Sequence, residues 1–176
     1  LKGNGPEDLT ELSLTIASQM VVLAHQAETT NEAKNRLIEC INNGQALETF
    51  KLFLKSQGGD ETIVNQPHLL PEAQYKIDLP ALESGVISKM IADEIGTAAM
   101  MLGAGRTTKD STIDLSVGIV LHKKLGDHVQ KGESLLTIHA NHESIQPVKE
   151  RLYQSIHLTH LTVQKPPLIY DIIKTN

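Results

Sequence analysis

Histidine is the residue type in this chain with the most obvious capacity for chemistry, because eight histidines occur among 176 residues. Two pairs, His139 with His142 and His157 with His160, each place two imidazoles three residues apart. A zinc-binding helix of the metalloprotease type needs two histidines four residues apart with a glutamate between them. Neither pair has this pattern, so the sequence predicts no metal site in this chain.

A second candidate is the segment that carries Gly103, Gly105 and Arg106. Dinucleotide-binding glycine loops follow a strand and open a helix. This segment instead follows a helical pattern and has Thr108 at the third glycine position, so we interpret the glycines as a helix end. The loop over residues 103–110 combines two glycines with arginine, lysine and threonine. This composition predicts a polar closure loop, and an ordinary solvated loop is the alternative.

The other reactive side chains lack the neighbours that nucleophilic catalysis requires. Ser88, Lys89, Ser111 and Asp114 lie in no nucleophile-elbow or triad-like motif. Cys40 lies within a helical pattern without a basic neighbour that would favour its thiolate, and we expect a buried structural cysteine. The sequence thus predicts no catalytic, phosphate-binding, substrate-binding or metal-binding residue in this chain.

One turn carries a more specific pattern. Gly126, Asp127, Val129 and Gly132, between two apolar strands, resemble the turn of biotinyl and lipoyl carrier domains. In such a turn glycine permits positive φ, aspartate caps the turn and valine points into a small β-sandwich. A carrier also needs an exposed hairpin lysine, and the nearest candidate, Lys89, lies too far upstream. The turn therefore predicts this fold type without its prosthetic group, and a carrier or interaction module is the alternative function.

The first third of the chain reads as helices. A proline followed by two acids, from Pro6, is typical of a helix start. Apolar residues then recur every three or four positions and predict one largely buried face, which comprises Leu9, Leu12, Ile16, Met20 and Leu23. Thr29 with Glu32 predicts a capping box for a second helix. A third helix runs from about Gln45 to the glycine pair at Gly58.

The rest of the chain mixes strands with helices. Strands are predicted over residues 75–79, 85–91, 117–122 and 135–139. Helices are predicted over residues 92–102 and 144–155, with Pro147 in the first turn of the second. We therefore predict a mixed α/β (α+β) chain with a barrel-sandwich-like β unit. Its ranges are a helical segment over 1–65, a connector over 66–74 and an α+β domain over 75–176.

Composition limits the class of protein and its partners. Apolar residues make up 40% and charged residues 21%, which is typical of a globular chain. The net charge of -5 does not favour nucleic acid. No apolar run approaches the roughly 18 residues of a membrane-spanning helix, so no membrane partner is expected. A single cysteine and the lack of a signal-peptide pattern predict a cytoplasmic location.

Several separate blocks, in the same order, resemble the C-terminal domain of pyrimidine-nucleoside and thymidine phosphorylases. These blocks are residues 84–90, 96–106, 114–119 and 126–133. The opening residues 3–9 are similar to the stretch that follows the middle of those enzymes. The resemblance covers nearly the whole chain. It implies that residues 1–65 end the central α/β domain of such an enzyme and that residues 75–176 are its C-terminal domain.

The resemblance also implies an activity for the whole enzyme. The family cleaves a pyrimidine nucleoside with inorganic phosphate, releasing the free base and the pentose 1-phosphate in a cleft between two domains. Its members are homodimers, and the bacterial ones are associated with a potassium ion. The family's phosphate motif, Lys-x-Ser followed by glycine-rich sequence, is absent here, as is its base-binding Arg, Ser and Lys set. The potassium ligands come just before the segment that begins at Leu1.

We therefore carry over no site residue and no cofactor from the family to this chain. The resemblance implies instead that the chain is a non-catalytic scaffold whose main partner is the remainder of the enzyme. The substrates of that enzyme are a pyrimidine nucleoside and phosphate.

Overall fold

The structure, a computed structural model, describes residues 1–106 and 108–173 and confirms a mixed α+β chain. Contacts divide the chain into two compact units, which are Leu1–Leu69 with the tail from Pro167, and Leu70–Pro166. The ranges 1–65, 66–74 and 75–176 inferred from the sequence refer to domains of the enzymes that the chain resembles, and they stay a prediction.

The described residues of the first unit form three helices and two short 3₁₀ segments. The helices are α1 (Glu7–Leu23), α2 (Thr30–Asn42) and α3 (Gln45–Ser56), and the 3₁₀ segments are Glu61–Val64 and Pro67–Leu69. Thr29 caps α2 as predicted, because its hydroxyl accepts a hydrogen bond from the backbone N–H of Glu32 at 3.2 Å. The Glu32 carboxylate accepts from the backbone N–H of Glu28 at 3.1 Å, one residue before the cap.

The apolar face predicted for α1 is largely exposed, which corrects the expectation that it is buried. Its exposed members are Leu9 at 58%, Ile16 at 54%, Met20 at 63% and Leu23 at 78%. A different face, which carries Leu14 and Ser18, is the buried one, and the helix packs against α2. Helical spacing shows which apolar residues align on a helix, but it does not show which element covers them.

The second unit, in its described residues, contains two helices and two three-stranded antiparallel sheets. The strands are β1 (Tyr75–Pro80), β2 (Gly85–Met90), β3 (Gly118–Leu121), β4 (His128–Val129), β5 (Ser134–Ala140) and β6 (Ile156–Thr159). The helices are α4 (Ala92–Ala99), which continues into a π turn over Met100–Ala104, and α5 (Gln146–Ser155). The strand orders are β1-β5-β3 and β4-β2-β6. Over the described residues these strands form two separate sheets rather than a closed barrel.

One apolar core joins both sheets to α4 and α5. The central strand β5 directs Leu136, Ile138 and Ala140 into this core, and each of the three is fully buried. Ile138 lies opposite Ile77 on β1 and Ile119 on β3. This alternation is the period of two expected for a strand with one buried face.

Strand β6 was not predicted from the sequence. It follows α5 directly and pairs with β2, with Met90 opposite Ile156. The backbone N–H of Ile91 donates to the carbonyl of Ser155 at 2.9 Å, at the point where the helix becomes the strand. No glycine or proline marks this change, so the pairing partner rather than a local signal determines it.

Candidate functional site

The segment that carries Gly103, Gly105 and Arg106 follows α4, as the sequence predicted. The π turn ends this helix, and Gly103 has φ of 105°. The carbonyl of Gly103 accepts a hydrogen bond from the backbone N–H of Asp114 at 2.9 Å, which joins the start of the predicted loop to the residues that follow it. Arg106 is exposed, whereas Thr107, which the predicted loop includes, lies outside the described residues.

A network of polar side chains surrounds Asp114. Its Oδ1 accepts from the backbone N–H of Ser116 at 2.9 Å and from the Ser116 hydroxyl at 2.6 Å. Its Oδ2 accepts from Asn141 Nδ2 at 2.6 Å, and the amide oxygen of Asn141 accepts from the backbone N–H of Gln74 at 2.9 Å. The hydroxyl of Ser116, followed by its backbone N–H and then Asn141, lowers the pKa of Asp114 below its usual value.

The carrier-like turn has the geometry that its sequence predicts. Gly126 has φ of 82° and Gly132 has φ of 87°, and Val129 between them is buried. The Asp127 carboxylate accepts from the backbone N–H of Lys124 at 2.8 Å and so caps the turn. The backbone N–H of Gly132 donates to the carbonyl of Ala81 at 2.8 Å, which fixes the far end of the turn.

The segment after β6 contacts this turn through Lys165. Its ammonium group lies 2.6 Å from Asp127 Oδ1. This contact is the main reason that the pKa of Asp127 is lowered, and the Lys124 N–H adds to the effect. A Cβ placed on Gly126 would lie 2.6 Å from Cγ of Lys165. The Lys165 stem therefore occupies the space that any side chain at Gly126 would need.

Lys89 is not placed as a carrier lysine would be. It is exposed, but it lies within β2, the central strand of its sheet, opposite His157 on β6. A carrier presents its lysine at the tip of a hairpin, whereas β2 continues through Ile91 into α4. This placement gives the carrier alternative no support.

The histidine pairs lie in different local settings. His139 lies in β5 and His157 in β6, and His142 and His160 each follow the end of a strand. Within residues 1–106 and 108–173, no group of three histidine, cysteine or acidic side chains is arranged to hold a metal ion.

A polar chain that no sequence pattern indicated crosses the exposed face of one sheet. The Thr137 hydroxyl donates to Asp78 Oδ1 at 2.6 Å, and His122 Nε2 lies 2.7 Å from the same hydroxyl. Since this hydroxyl has one proton, Nε2 of His122 must be the donor. A nucleophilic triad needs the imidazole between the acid and the hydroxyl. Here the Thr137 hydroxyl lies between the carboxylate and the imidazole instead. The three side chains join β1, β5 and the end of β3, as cross-strand pairs do.

Cys40 is half-buried rather than buried, which corrects the expectation from its helical setting. Its sulfur lies 3.6 Å from Oε1 of Gln45. It borders an apolar cleft of about 360 Å³ between α1 and α2, together with Leu14 and Leu37. An apolar wall with a neutral amide neighbour offers the cysteine no group that would activate it.

The structure thus brings the helix end at Gly103 together with Asp114 through their backbone hydrogen bond. The glycine turn that Lys165 contacts is a second feature with its own contacts. In the described part of the chain, no helix is both long and apolar enough to cross a membrane.

Comparisons with known proteins agree on one family. Residues 86–159 match the model of the pyrimidine nucleoside phosphorylase C-terminal domain. The chain is similar to the pyrimidine-nucleoside phosphorylase of Staphylococcus aureus (strain USA300), with 56% identity over 173 residues. The same identity and length hold for that of Bacillus subtilis (strain 168). Each match covers 98% of this chain but only 40% of the relative.

Proposed function

This chain belongs to the pyrimidine-nucleoside phosphorylase family, whose C-terminal part it matches, and we propose that it is a non-catalytic scaffold of such an enzyme. The observation that carries the proposal is 56% identity over 98% of the chain. The whole enzyme would take a pyrimidine nucleoside and inorganic phosphate and release the free base and the pentose 1-phosphate.

The chemistry of this reaction defines the groups that an active site must supply. A phosphate oxygen forms a bond to the anomeric carbon while the bond from that carbon to the base nitrogen breaks. Positive charge develops on the sugar and negative charge on the departing base. The enzyme must therefore bind phosphate, stabilise the base anion and exclude water, which is mainly a matter of positioning and electrostatics.

This chain lacks the sequence signals for those groups. The stretch Lys109-Asp110-Ser111 has the spacing of the family's Lys-x-Ser motif, but Thr112 and Ile113 follow it instead of glycine-rich sequence. The segment at Gly103 lies at the C-terminal end of a helix. Phosphate binds instead at the N-terminal end of a helix, where the backbone N–H groups are free to donate. We propose that the phosphate and base sites lie in the remainder of the enzyme, which is the main partner of this chain.

We propose further that the whole enzyme is a homodimer, that it is located in the cytoplasm and that it binds a potassium ion outside this chain.

Phosphorolysis by the full-length protein that contains this chain tests the proposed function. We expect uridine or thymidine to yield free base and pentose 1-phosphate at a rate that depends on phosphate concentration. The products are separated by chromatography, and the sugar product is identified by mass spectrometry. Release of base without phosphate, together with unphosphorylated pentose, would indicate a hydrolase and contradict the proposal.

The exposed Arg106 is the residue of this chain that we propose acts during closure of the cleft. It follows the helix end at Gly103 and Gly105 on a polar segment. In this proposal Arg106 hydrogen-bonds the opposing domain in the closed enzyme without touching the substrate. Closure of this kind excludes water and completes many active sites.

Arg106→Ala in the full-length enzyme is expected to lower turnover about tenfold or more, because a hydrogen bond to a charged group is worth about 1.5–3 kcal/mol. The melting temperature should change little, since Arg106 is exposed. Lys109→Ala, which removes another exposed cation of the same loop, is the matched control. Wild-type kinetics for Arg106→Ala over a range of phosphate and nucleoside concentrations would contradict the closure role.

A further inference from the structure

The base of the segment that carries Arg106 is held by polar groups from three distant parts of the sequence, two of which contribute side chains and one a backbone N–H. Asp114 and Ser116 precede β3, Asn141 follows β5, and Gln74 precedes β1. The backbone contact between Gly103 and Asp114 joins this base directly to the helix end. A Cβ placed on Gly103 would be in ordinary van der Waals contact with Cβ of Asp114, at 3.6 Å.

Each polar group of the pair formed by Asp114 and Asn141 has a matching partner. The amide nitrogen of Asn141 donates to Asp114 Oδ2 at 2.6 Å and to the Ser116 hydroxyl oxygen at 3.0 Å. The amide oxygen of Asn141 accepts from the backbone N–H of Gln74 at 2.9 Å. The Gln74 contact therefore fixes which way the amide faces, and the amide in turn fixes the carboxylate.

We propose that Asp114 and Asn141 are a positioning pair that holds the arm from Gly103 to Arg106 in place for the closure contact of Arg106. The inference rests on the proposed function, because it assigns the pair to the phosphorolysis reaction. Neither residue touches substrate in this account, and both act through Arg106.

The pair allows a test by exchange. Asp114→Asn alone places two amide NH₂ groups face to face, and Asn141→Asp alone places two carboxylates face to face. The double variant restores the match between positions 114 and 141, since an amide at 114 can donate to a carboxylate at 141, and it loses only the donation from position 141 to the Ser116 hydroxyl oxygen. That carboxylate can still accept from the backbone N–H of Gln74, and the amide oxygen at 114 can still accept from Ser116.

The first measurement is the rate of tryptic cleavage after Arg106 and Lys109 in the full-length protein. Each single variant should raise this cleavage rate about tenfold. The protease cleaves the form in which the arm has detached from its anchor, and the hydrogen bonds of the pair keep that form rare in the wild type. The double variant should recover most of the wild-type resistance to cleavage, because only the donation to the Ser116 hydroxyl oxygen is missing from its contacts. Asp60→Asn is the matched control, since Asp60 makes an equivalent bond to the backbone N–H of Thr62 at 2.8 Å in the helical unit.

The second measurement is phosphorolysis by the same proteins. Each single variant should lower kcat about tenfold with little change in KM, and the double variant should recover kcat. If Asn141→Asp does not fold, Ser116→Ala weakens the same anchor and should shift both readouts in the same direction by less.

Two results would overturn the inference. One is a double variant no better than the worse single variant, and the other is changed cleavage with unchanged kcat. A wild-type protein without phosphorolysis would instead refute the proposed function and the catalytic half of the inference. The cleavage rates would then still decide whether the pair anchors the arm.

Discussion

Replacing Gly126 by valine is expected to destabilise the unit Leu70–Pro166 by about 2 kcal/mol or more. Two effects add. A β-branched residue is strained at φ of 82°, which costs about 1–3 kcal/mol. In addition, a Cβ at this position would overlap Cγ of Lys165 at 2.6 Å, so the lysine stem must move and its contact with Asp127 weakens.

Gly132→Val is the matched control for the strain alone. Gly132 has nearly the same φ, 87°, but no heavy atom lies within 4 Å of a Cβ built there. Its loss of stability should therefore be smaller than that of Gly126→Val. In a Lys165→Ala background, which removes the overlapping atoms, the two valine variants should become nearly equal.

Tyrosine signals can follow the unfolding of this unit. Tyr75 and Tyr153 lie in the unit Leu70–Pro166, whereas Tyr170 lies in the other unit and is 82% exposed. In a Tyr170→Phe background, urea unfolding monitored by tyrosine fluorescence reports the free energy of unfolding of the relevant unit. If Gly126→Val and Gly132→Val lose the same free energy of unfolding in the presence of Lys165, the steric contribution is refuted. If neither variant loses stability, the contribution of backbone strain is refuted.

Local sequence signals predicted most of the helices and strands, because residues close to the ends of these elements determine where they begin and end. The Thr29 cap, the glycine pair after α3 and Pro147 at the start of α5 all act within a few residues of themselves. The alternation along β5 likewise requires only one buried face. In such cases the physical cause of the element is visible in the local sequence.

Features that depend on tertiary partners were not predictable in the same way. Strand β6 forms because β2 offers a free edge to residues that directly leave a helix. The apolar row of α1 was expected to be buried, but no element of the described chain covers Ile16 or Met20. Burial is a property of the neighbours of a helix as well as of its own residues, and the spacing of apolar positions does not contain that information.

In the candidate site, too, local features were predictable from the sequence and a contact between distant residues was not. Positive φ at Gly126 and Gly132 and the capping role of Asp127 follow from residue type and were predicted. The pairing of Asp114 with Asn141 joins residues that are 27 positions apart, and it required the fold. The weak sequence signal was an aspartate two residues before a serine, which is typical of a local turn but does not identify a distant partner.

The chain over residues 1–176 is expected to show no phosphorolysis by itself, which is the largest effect that we predict. Loss of one preorganised donor to a developing charge lowers kcat by about 10²–10³. The proposal places all groups that bind phosphate and the departing base outside this chain. Without any of them, the reaction should proceed no faster than in buffer, however well the chain folds.

The most direct measurement compares the chain and the full-length protein at equal molar concentration with uridine, thymidine and phosphate. Free base is followed over time, and circular dichroism verifies that the isolated chain is folded. We expect base release by the full-length protein and none above the buffer rate by the chain. Turnover of about 1 per second or more by the chain alone would contradict it, because this rate is typical of an enzyme and would require catalytic groups within residues 1–176.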